Sequence, residues 1–297
     1  QAGRIKASGG EVYADTFVAR QPRGAGVFAP KKLPYFGEVA LVELNGVDLI
    51  VLVGTDAPVS FFAYPDRPSS LVPAGCRTVS LASRCDDVAR ALADLADVLL
   101  APAAGPVAPL QLPPAPTGKL TPLTVGQSLA RHMPEGAIIS DDGVTSSGAV
   151  MAATSTARAH DVLALTGGAI GIGLPLAIGA AVACPQSKVV AISGDGAAMY
   201  TSQALWTMAR ESLDITVVIF ANHSYLILNV EMARTGAGKA GPAAGRLLDL
   251  GAPKIDWVAL AQSQGVAAER CTTAEEFDDA LATAMSGPGP RLIEVAI

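Results

Sequence analysis

The sequence has no paired-cysteine signature. Cys76, Cys85, Cys184 and Cys271 stand apart, with neither CxxC nor Cys/His spacing, which argues against a zinc site or a disulfide framework and for a reducing cytoplasm. There is no run of Lys or Arg, and the formal net charge is -6, so no basic face is offered to nucleic acid or to anionic lipid. Long apolar spans are missing as well. Val189 to Ile192 and Ile215 to Phe220 have only strand length, and the small-residue run from Gly167 to Ala183 is interrupted by Pro175; no membrane-crossing segment is expected. No repeat of solenoid period occurs. The chain opens on Gln1 without a charged leader, and Ala2 to Ala7 reads as a helix end, so a piece of a longer protein is expected.

What is present is a chain of 297 residues, 50% hydrophobic and 16% charged, enough for two globular domains with proper cores. From Gly9 to about Leu100, strand-like runs at Glu11 to Phe17, Asp48 to Gly54 and Thr78 to Leu81 precede a helical pattern at Asp86 to Leu95. Between Pro102 and Pro122 prolines crowd a stretch without apolar periodicity, the composition of a stiff connector. This gives a first domain at 1–101, a linker at 102–122 and a second domain at 123–297. In the second, strands are expected at Ala137 to Ser140, Val162 to Leu165, Val189 to Ser193, Ile215 to Phe220 and Arg291 to Val295. Helices are expected at about Leu174 to Ala183, Ser202 to Glu211, Trp257 to Gln264 and Ala274 to Met285. Continuous apolar strands alternating with helices predict an α/β fold, two doubly wound domains with mainly parallel sheets.

Two loops carry the chemistry. Ser193-Gly194-Asp195-Gly196-Ala197-Ala198 follows one apolar strand, Ala221-Asn222-His223-Ser224-Tyr225 follows the next, and 27 residues separate Asp195 from Asn222. With one helix between parallel strands, both loops emerge at the carboxyl edge of the sheet, where ligands of open α/β folds gather. Magnesium takes about six oxygen ligands, usually one or two from protein side chains and the rest from phosphates and water. Asp195 and Asn222, with a backbone carbonyl nearby, would leave places for a diphosphate. Gly194 and Gly196 let backbone amides approach the phosphates, and the following helix is expected to add donors and a favourable dipole. A bare Gly-Asp-Gly is also a common structural turn; the Asn at this interval is what turns the reading towards a metal and a diphosphate together.

With those residues in view the chain resembles the thiamine-diphosphate-dependent enzymes, whose signature is a GDG followed at such an interval by an Asn. Thr166-Gly167-Gly168-Ala169-Ile170-Gly171-Ile172-Gly173-Leu174-Pro175 is similar to the family's glycine-rich segment. The resemblance implies that this segment, through Gly168, Ala169 and Ile170, runs along the cofactor. The Gly168 carbonyl would accept from the pyrimidine amino group, and Ile170 would wedge the cofactor into a bent shape that brings its reacting groups together. A glycine-rich helix packed tightly on a sheet would carry the same residues. Ser140-Asp141-Asp142-Gly143-Val144-Thr145-Ser146 is similar to the family's other diphosphate turn, implying contacts from Val144 and Thr145; an ordinary capped helix start is the other reading. By the same resemblance Asp195, Asn222 and the Ser224 carbonyl hold Mg2+, Gly194, Gly196 and Ala197 meet the diphosphate, and Tyr225, Leu226 and Ile227 line the thiazolium and substrate. His223 beside the metal turn is expected to point outward.

Within the family the likeness runs to the acetolactate synthase large-subunit type, carried also by Pro58-Val59-Ser60-Phe61-Phe62-Ala63-Tyr64-Pro65. It implies decarboxylation of a 2-oxo acid such as pyruvate and carboligation, with a simple 2-oxo acid decarboxylase of the benzoylformate type, or a non-catalytic cofactor-binding homologue, as alternatives. Two departures bear on this. Glu231 stands nine residues after Asn222, where acetohydroxyacid synthases tend to carry Trp, and no flavin fingerprint is recognisable. The catalytic Glu that activates the cofactor belongs, in the family, to an N-terminal pyrimidine-binding domain for which residues 1–297 have no segment. This chain alone is therefore expected to be inactive, and a homodimer or tetramer is expected through that domain.

Overall fold

Strands that are apolar at every position need cover on both faces, and the computed structural model, which describes residues 1–297, provides it in one of two compact units. The first unit comprises Gln1–Val18, Phe28–Val107 and Arg234–Gly236; the second comprises Ala19–Val27, Ala108–Ala233 and Ala237–Ile297.

In the first unit α1 (Ala2–Ala7), β1 (Tyr13–Ala14), β3 (Lys31–Lys32), α2 (Gly37–Glu43), β4 (Leu49–Val53), β5 (Arg77–Ala82) and α3 (Val88–Val98) follow in order, β2 (Arg20–Arg23) lying in the second unit. β1 pairs with β3 and β4 with β5, both parallel. Its buried cluster is small, Ala40, Leu44 and Leu71 with Tyr13, Leu33 and Leu41 against them. Leu49, Val51, Val79 and Leu81 on the β4–β5 pair remain exposed.

The second unit holds β6 (Ala137–Asp142), β7 (His160–Ala164), β8 (Val189–Gly194), β9 (Ile215–Ala221), β10 (Ala267–Cys271) and β11 (Arg291–Ala296). With β2 they form one seven-stranded sheet, order β10-β11-β9-β8-β6-β7-β2. All its pairings are parallel except β2 against β7. The helices are α4 (Pro122–His132), α5 (Ser147–Ala153), α6 (Gly173–Ala183), α7 (Asp195–Ala198), α8 (Ala204–Arg210), α9 (Leu226–Arg234), α10 (Pro242–Leu248), α11 (Trp257–Ser263) and α12 (Ala274–Ser286).

Alternation along the central strands divides the interior in two. Val190, Ile192, Val218 and Phe220 pack with Leu129, Met133 and Phe277, while Val189, Ala191, Val217 and Ile219 pack with Leu174, Leu205 and Trp257. Each fully buried Val, Ile, Leu or Phe among them contributes about 1.5–3 kcal/mol, and the polar residues that these strands carry, Thr216 near the start of β9 and Ser193 near the end of β8, stand towards their ends. α4 starts where Thr121 and Thr124 form a capping box with Pro122 in the first turn, and α12 starts on a second box, Thr273 with Glu276. No helix is long and apolar enough to cross a membrane.

One local expectation is corrected. The helix after Gly-Asp-Gly is the single turn α7, with α8 resuming only at Ala204, so little macrodipole is directed at the motif.

Candidate functional site

β6 lies between β7 and β8, and the chain passes from β6 to β7 on one side before crossing to β8 on the other. The carboxyl ends of β6 and β8 therefore flank a topological switch point, the place where open α/β sheets leave a crevice. The register brings Asp142 opposite Ser193, and Gly194 opposite Phe220, so the loops after β6, β8 and β9 leave the sheet at one level.

A cleft open to solvent lies there. Its walls take Gly143, Val144, Thr145 and Ser146 from the loop after β6, and Ile170 from the glycine-rich segment. Gly194, Asp195, Gly196 and Ala197 come from the turn after β8; Phe220, Asn222, Ser224, Tyr225, Leu226 and Ile227 come from the end of β9, the turn after it and the start of α9. All the residues expected at a metal and diphosphate site are thus gathered, from four stretches of sequence. Gly168 and Ala169 stand apart from the lining, Gly168 closing a 3-10 turn (Thr166–Gly168) and Ala169 exposed. Glu231 lies in α9, outside the lining.

Asp195 is 2% exposed. Its Oδ1 accepts the Gly196 amide at 2.8 Å and its Oδ2 the His223 amide at 2.6 Å. Burial raises its pKa, while the amides of His223 and Gly196 act in the other direction. Asn222 Oδ1 accepts the Ser224 amide at 3.0 Å, and Asn229 Nδ2 donates to Ser224 Oγ at 3.1 Å. The turn is stapled to the 248–250 segment, Tyr225 N donating to Leu248 O and Leu250 N to His223 O, both at 2.9 Å. His223 holds a left-handed backbone, φ 55, and its Nδ1, buried without a hydrogen-bond partner, faces Asp195 Oδ2 at 3.9 Å. The ring edge is turned inward rather than out. Tyr225 lies over the motif: a Cβ on Gly196 would come within 2.5 Å of its ring.

The donor set suits a hard divalent ion beside a diphosphate. No Lys or Arg lines the cleft, so a diphosphate alone would meet a buried carboxylate with no side-chain cation to reconcile the two charges, whereas an ion between them is favourable to both. The Asp195 carboxylate and the Asn222 carboxamide supply oxygens, and Gly194 is open to the cleft, with no atom within 4 Å of where a Cβ would stand.

Sequence reasoning left out several residues that shape this cleft. Asp142 is fully buried; its Oδ2 accepts the amides of Gly171 at 2.8 Å and Gly173 at 3.1 Å, its Oδ1 has no partner, and burial pushes its pKa up to about 6. Asp141 accepts from the Gly143 amide at 3.1 Å and from Ser147 Oγ at 2.5 Å. Two consecutive acids at the end of an apolar strand were the available signal. Phe220 and Thr201 carried none, one reading as strand core and the other as helix approach.

The family described as "Thiamine pyrophosphate enzyme, C-terminal TPP binding domain" matches residues 134–295. The chain is 47% identical over 294 residues to the "Putative acetolactate synthase large subunit IlvX" of Mycobacterium tuberculosis, a match covering 99% of this chain and 57% of that protein. It is 32% identical over 271 residues to the benzoylformate decarboxylase of Pseudomonas aeruginosa, covering 85% of this chain and 49% of that one. Among solved structures, a thiamine diphosphate-dependent 4-hydroxybenzoylformate decarboxylase of Rhodococcus jostii superposes with a TM-score of 0.73 at 27% identity, over 90% of this chain and 52% of that chain. The chain spans about half the length of the curated relatives it matches.

Proposed function

Because the chain belongs to the thiamine pyrophosphate enzyme family, we propose that the cleft holds thiamine diphosphate through Mg2+, and that the protein is an acetolactate synthase-like carboligase acting on a 2-oxo acid such as pyruvate. The observation that carries this is the gathering of Asp195, Asn222, Ser224, Val144, Thr145 and Ile170 around one cleft that lacks a side-chain cation.

In this reading the Asp195 carboxylate, the Asn222 carboxamide oxygen and the Ser224 carbonyl hold the metal. Val144, Thr145, Gly194, Gly196 and Ala197 approach the diphosphate, the Gly168 carbonyl and Ala169 follow the pyrimidine, and Ile170 presses on the middle of the cofactor. Tyr225, Leu226 and Ile227 cover the reacting end and exclude water from it. When bound, the cofactor supplies a nucleophilic carbon and an electron sink for loss of carbon dioxide from a 2-oxo acid. Glu231 in place of an aromatic residue alters the acceptor side. The family resemblance further supports a homo-oligomer, and the four unpaired cysteines support a cytoplasmic location.

A second reading, 2-oxo acid decarboxylation without carboligation, is favoured by likeness to benzoylformate decarboxylases over 85% and 90% of this chain. Calorimetric titration with thiamine diphosphate, with and without magnesium, tests the site: tight binding only with the metal is expected, and metal-independent or absent binding refutes it. Product analysis separates the two readings, with the N-terminal portion of the M. tuberculosis relative supplied in trans. Acetolactate from pyruvate supports the first; acetaldehyde from pyruvate or benzaldehyde from benzoylformate, alone, supports the second.

A further inference from the structure

Ile170 enters the cleft wall from a segment with almost no side chains to hold it, flanked by Gly167, Gly168, Gly171 and Gly173. Left to itself such a backbone would occupy many conformations. Here it is gripped by side chains from distant positions. Asp142 Oδ2 accepts the Gly171 and Gly173 amides; Thr201 Oγ1 donates to the Gly171 carbonyl at 2.7 Å; and Ser140 Oγ donates to the Gly173 carbonyl at 2.7 Å. Gly171 is therefore held at both its N–H and its C=O. Its φ is +92, and a Cβ there would lie 2.7 Å from Tyr200 Cβ, so the grip acts on a backbone that no other residue could adopt without displacement.

We propose that Asp142 and Thr201 are positioning residues: by clamping the two ends of Gly171 they fix Ile170 in the wall of the cleft and so set the shape of cofactor that the cleft accepts. The inference rests on the reading of the cleft as a thiamine diphosphate site. Neither residue lines the cleft, so both act through the residue before Gly171. Asp142 supplies a rigid acceptor because it is fully buried; Thr201 supplies the opposing donor from the stretch between α7 and α8.

A double-mutant cycle separates positioning from mere structural support. Thr201→Val removes the hydroxyl and keeps the shape; Ile170→Ala removes the side chain being positioned. Thiamine diphosphate is titrated calorimetrically, with magnesium, into the 297-residue chain as wild type, each single variant and the double variant, with melting temperatures recorded alongside. The expected result is a Kd raised by about tenfold or more in Thr201→Val, in line with the loss of a supporting hydrogen bond at a ligand site, and no further rise when the same change is made in the Ile170→Ala background. An unchanged Kd in Thr201→Val, or effects that multiply in the double variant, would overturn the clamp and leave the cofactor reading standing. Absence of binding by the wild-type chain would overturn both. If Thr201→Val does not fold, Asp142→Asn takes its place in the same cycle with the same outcomes.

Discussion

The backbone amide of His223 donates to Asp195 Oδ2 at 2.6 Å, so the turn after β9 is fastened directly to the carboxylate at the end of β8. The two loops that carry the proposed metal ligands are thereby held together before any ion arrives, which reduces the ordering that binding must otherwise impose.

Replacing Asp195 should uncouple them. In Asp195→Asn one of the two amides, that of Gly196 or His223, meets an NH2 group instead of an oxygen, and a loss of about 1–2 kcal/mol in urea unfolding is expected. The magnesium-dependent increase in thiamine diphosphate affinity should vanish at the same time. A variant that keeps this magnesium dependence would show that Asp195 does not hold the metal.

Asp142 gives a pH signature. Its pKa of about 6 in the fold lies above the ordinary 3.8, so between these values the folded chain retains a proton that the unfolded chain has released. The contribution is present below about 3.8 and is lost as pH rises through about 6, a difference of about 3 kcal/mol. Carboxylates such as Glu38, Glu275 and Glu276, whose pKa values are lowered, contribute in the opposite sense. The measurement must therefore be made against Asp142→Asn. From about pH 4 to about pH 7 the stability of the wild type should decline relative to the variant, read by calorimetric melting at each pH; parallel curves would refute the assignment.

Gly171→Ala tests the left-handed turn. At φ +92, with Tyr200 Cβ in the way at 2.7 Å, a methyl group is expected to cost about 1–3 kcal/mol. Denaturant unfolding should move to lower midpoint with unchanged slope. Gly194→Ala, where nothing stands within 4 Å of the new methyl, is the control: its stability should change by less than about 1 kcal/mol, while cofactor binding weakens because the methyl projects into the cleft.

The 297-residue chain, given pyruvate, magnesium and thiamine diphosphate, is expected to release no carbon dioxide above the enzyme-free background. By family resemblance the Glu that activates the pyrimidine belongs to a domain outside these residues. Steady release from the purified chain, abolished by Asp195→Asn, would overturn that expectation.

Much of the second unit was legible because its signals are local. Apolar continuity at Val189–Gly194 and Ile215–Ala221 marks strands covered on both faces, and the Asp195 to Asn222 interval leaves room for a helical crossover, which the structure divides into α7 and α8. The edges of the sheet were less so. β10 (Ala267–Cys271) has an exposed Glu269 and Arg270, a pattern that periodicity does not distinguish from a loop. β2 contains Pro22 and joins β7 as the antiparallel edge, a place where proline is tolerated because one side of the strand donates to nothing. In the first unit, Leu49–Val53 and Arg77–Ala82 were readable as strands, yet their apolar residues are largely exposed on a two-stranded pair, since apolar content reports a tendency to be covered and not the cover itself.

By itself the sequence determined where the central strands of the second unit run, which oxygen-bearing side chains stand at their ends, and that a glycine-rich segment precedes the motif, because each of these depends on neighbouring residues and their preferred backbone geometry. Only the tertiary structure decided that Asp142 would hold Gly171, 29 residues away, that Thr201 would hold the same residue from the other side, and that Ile170, and not Gly168 or Ala169, would line the cleft. A buried carboxylate accepts from whichever amides packing delivers to it, and that delivery is settled by contacts far apart in the chain.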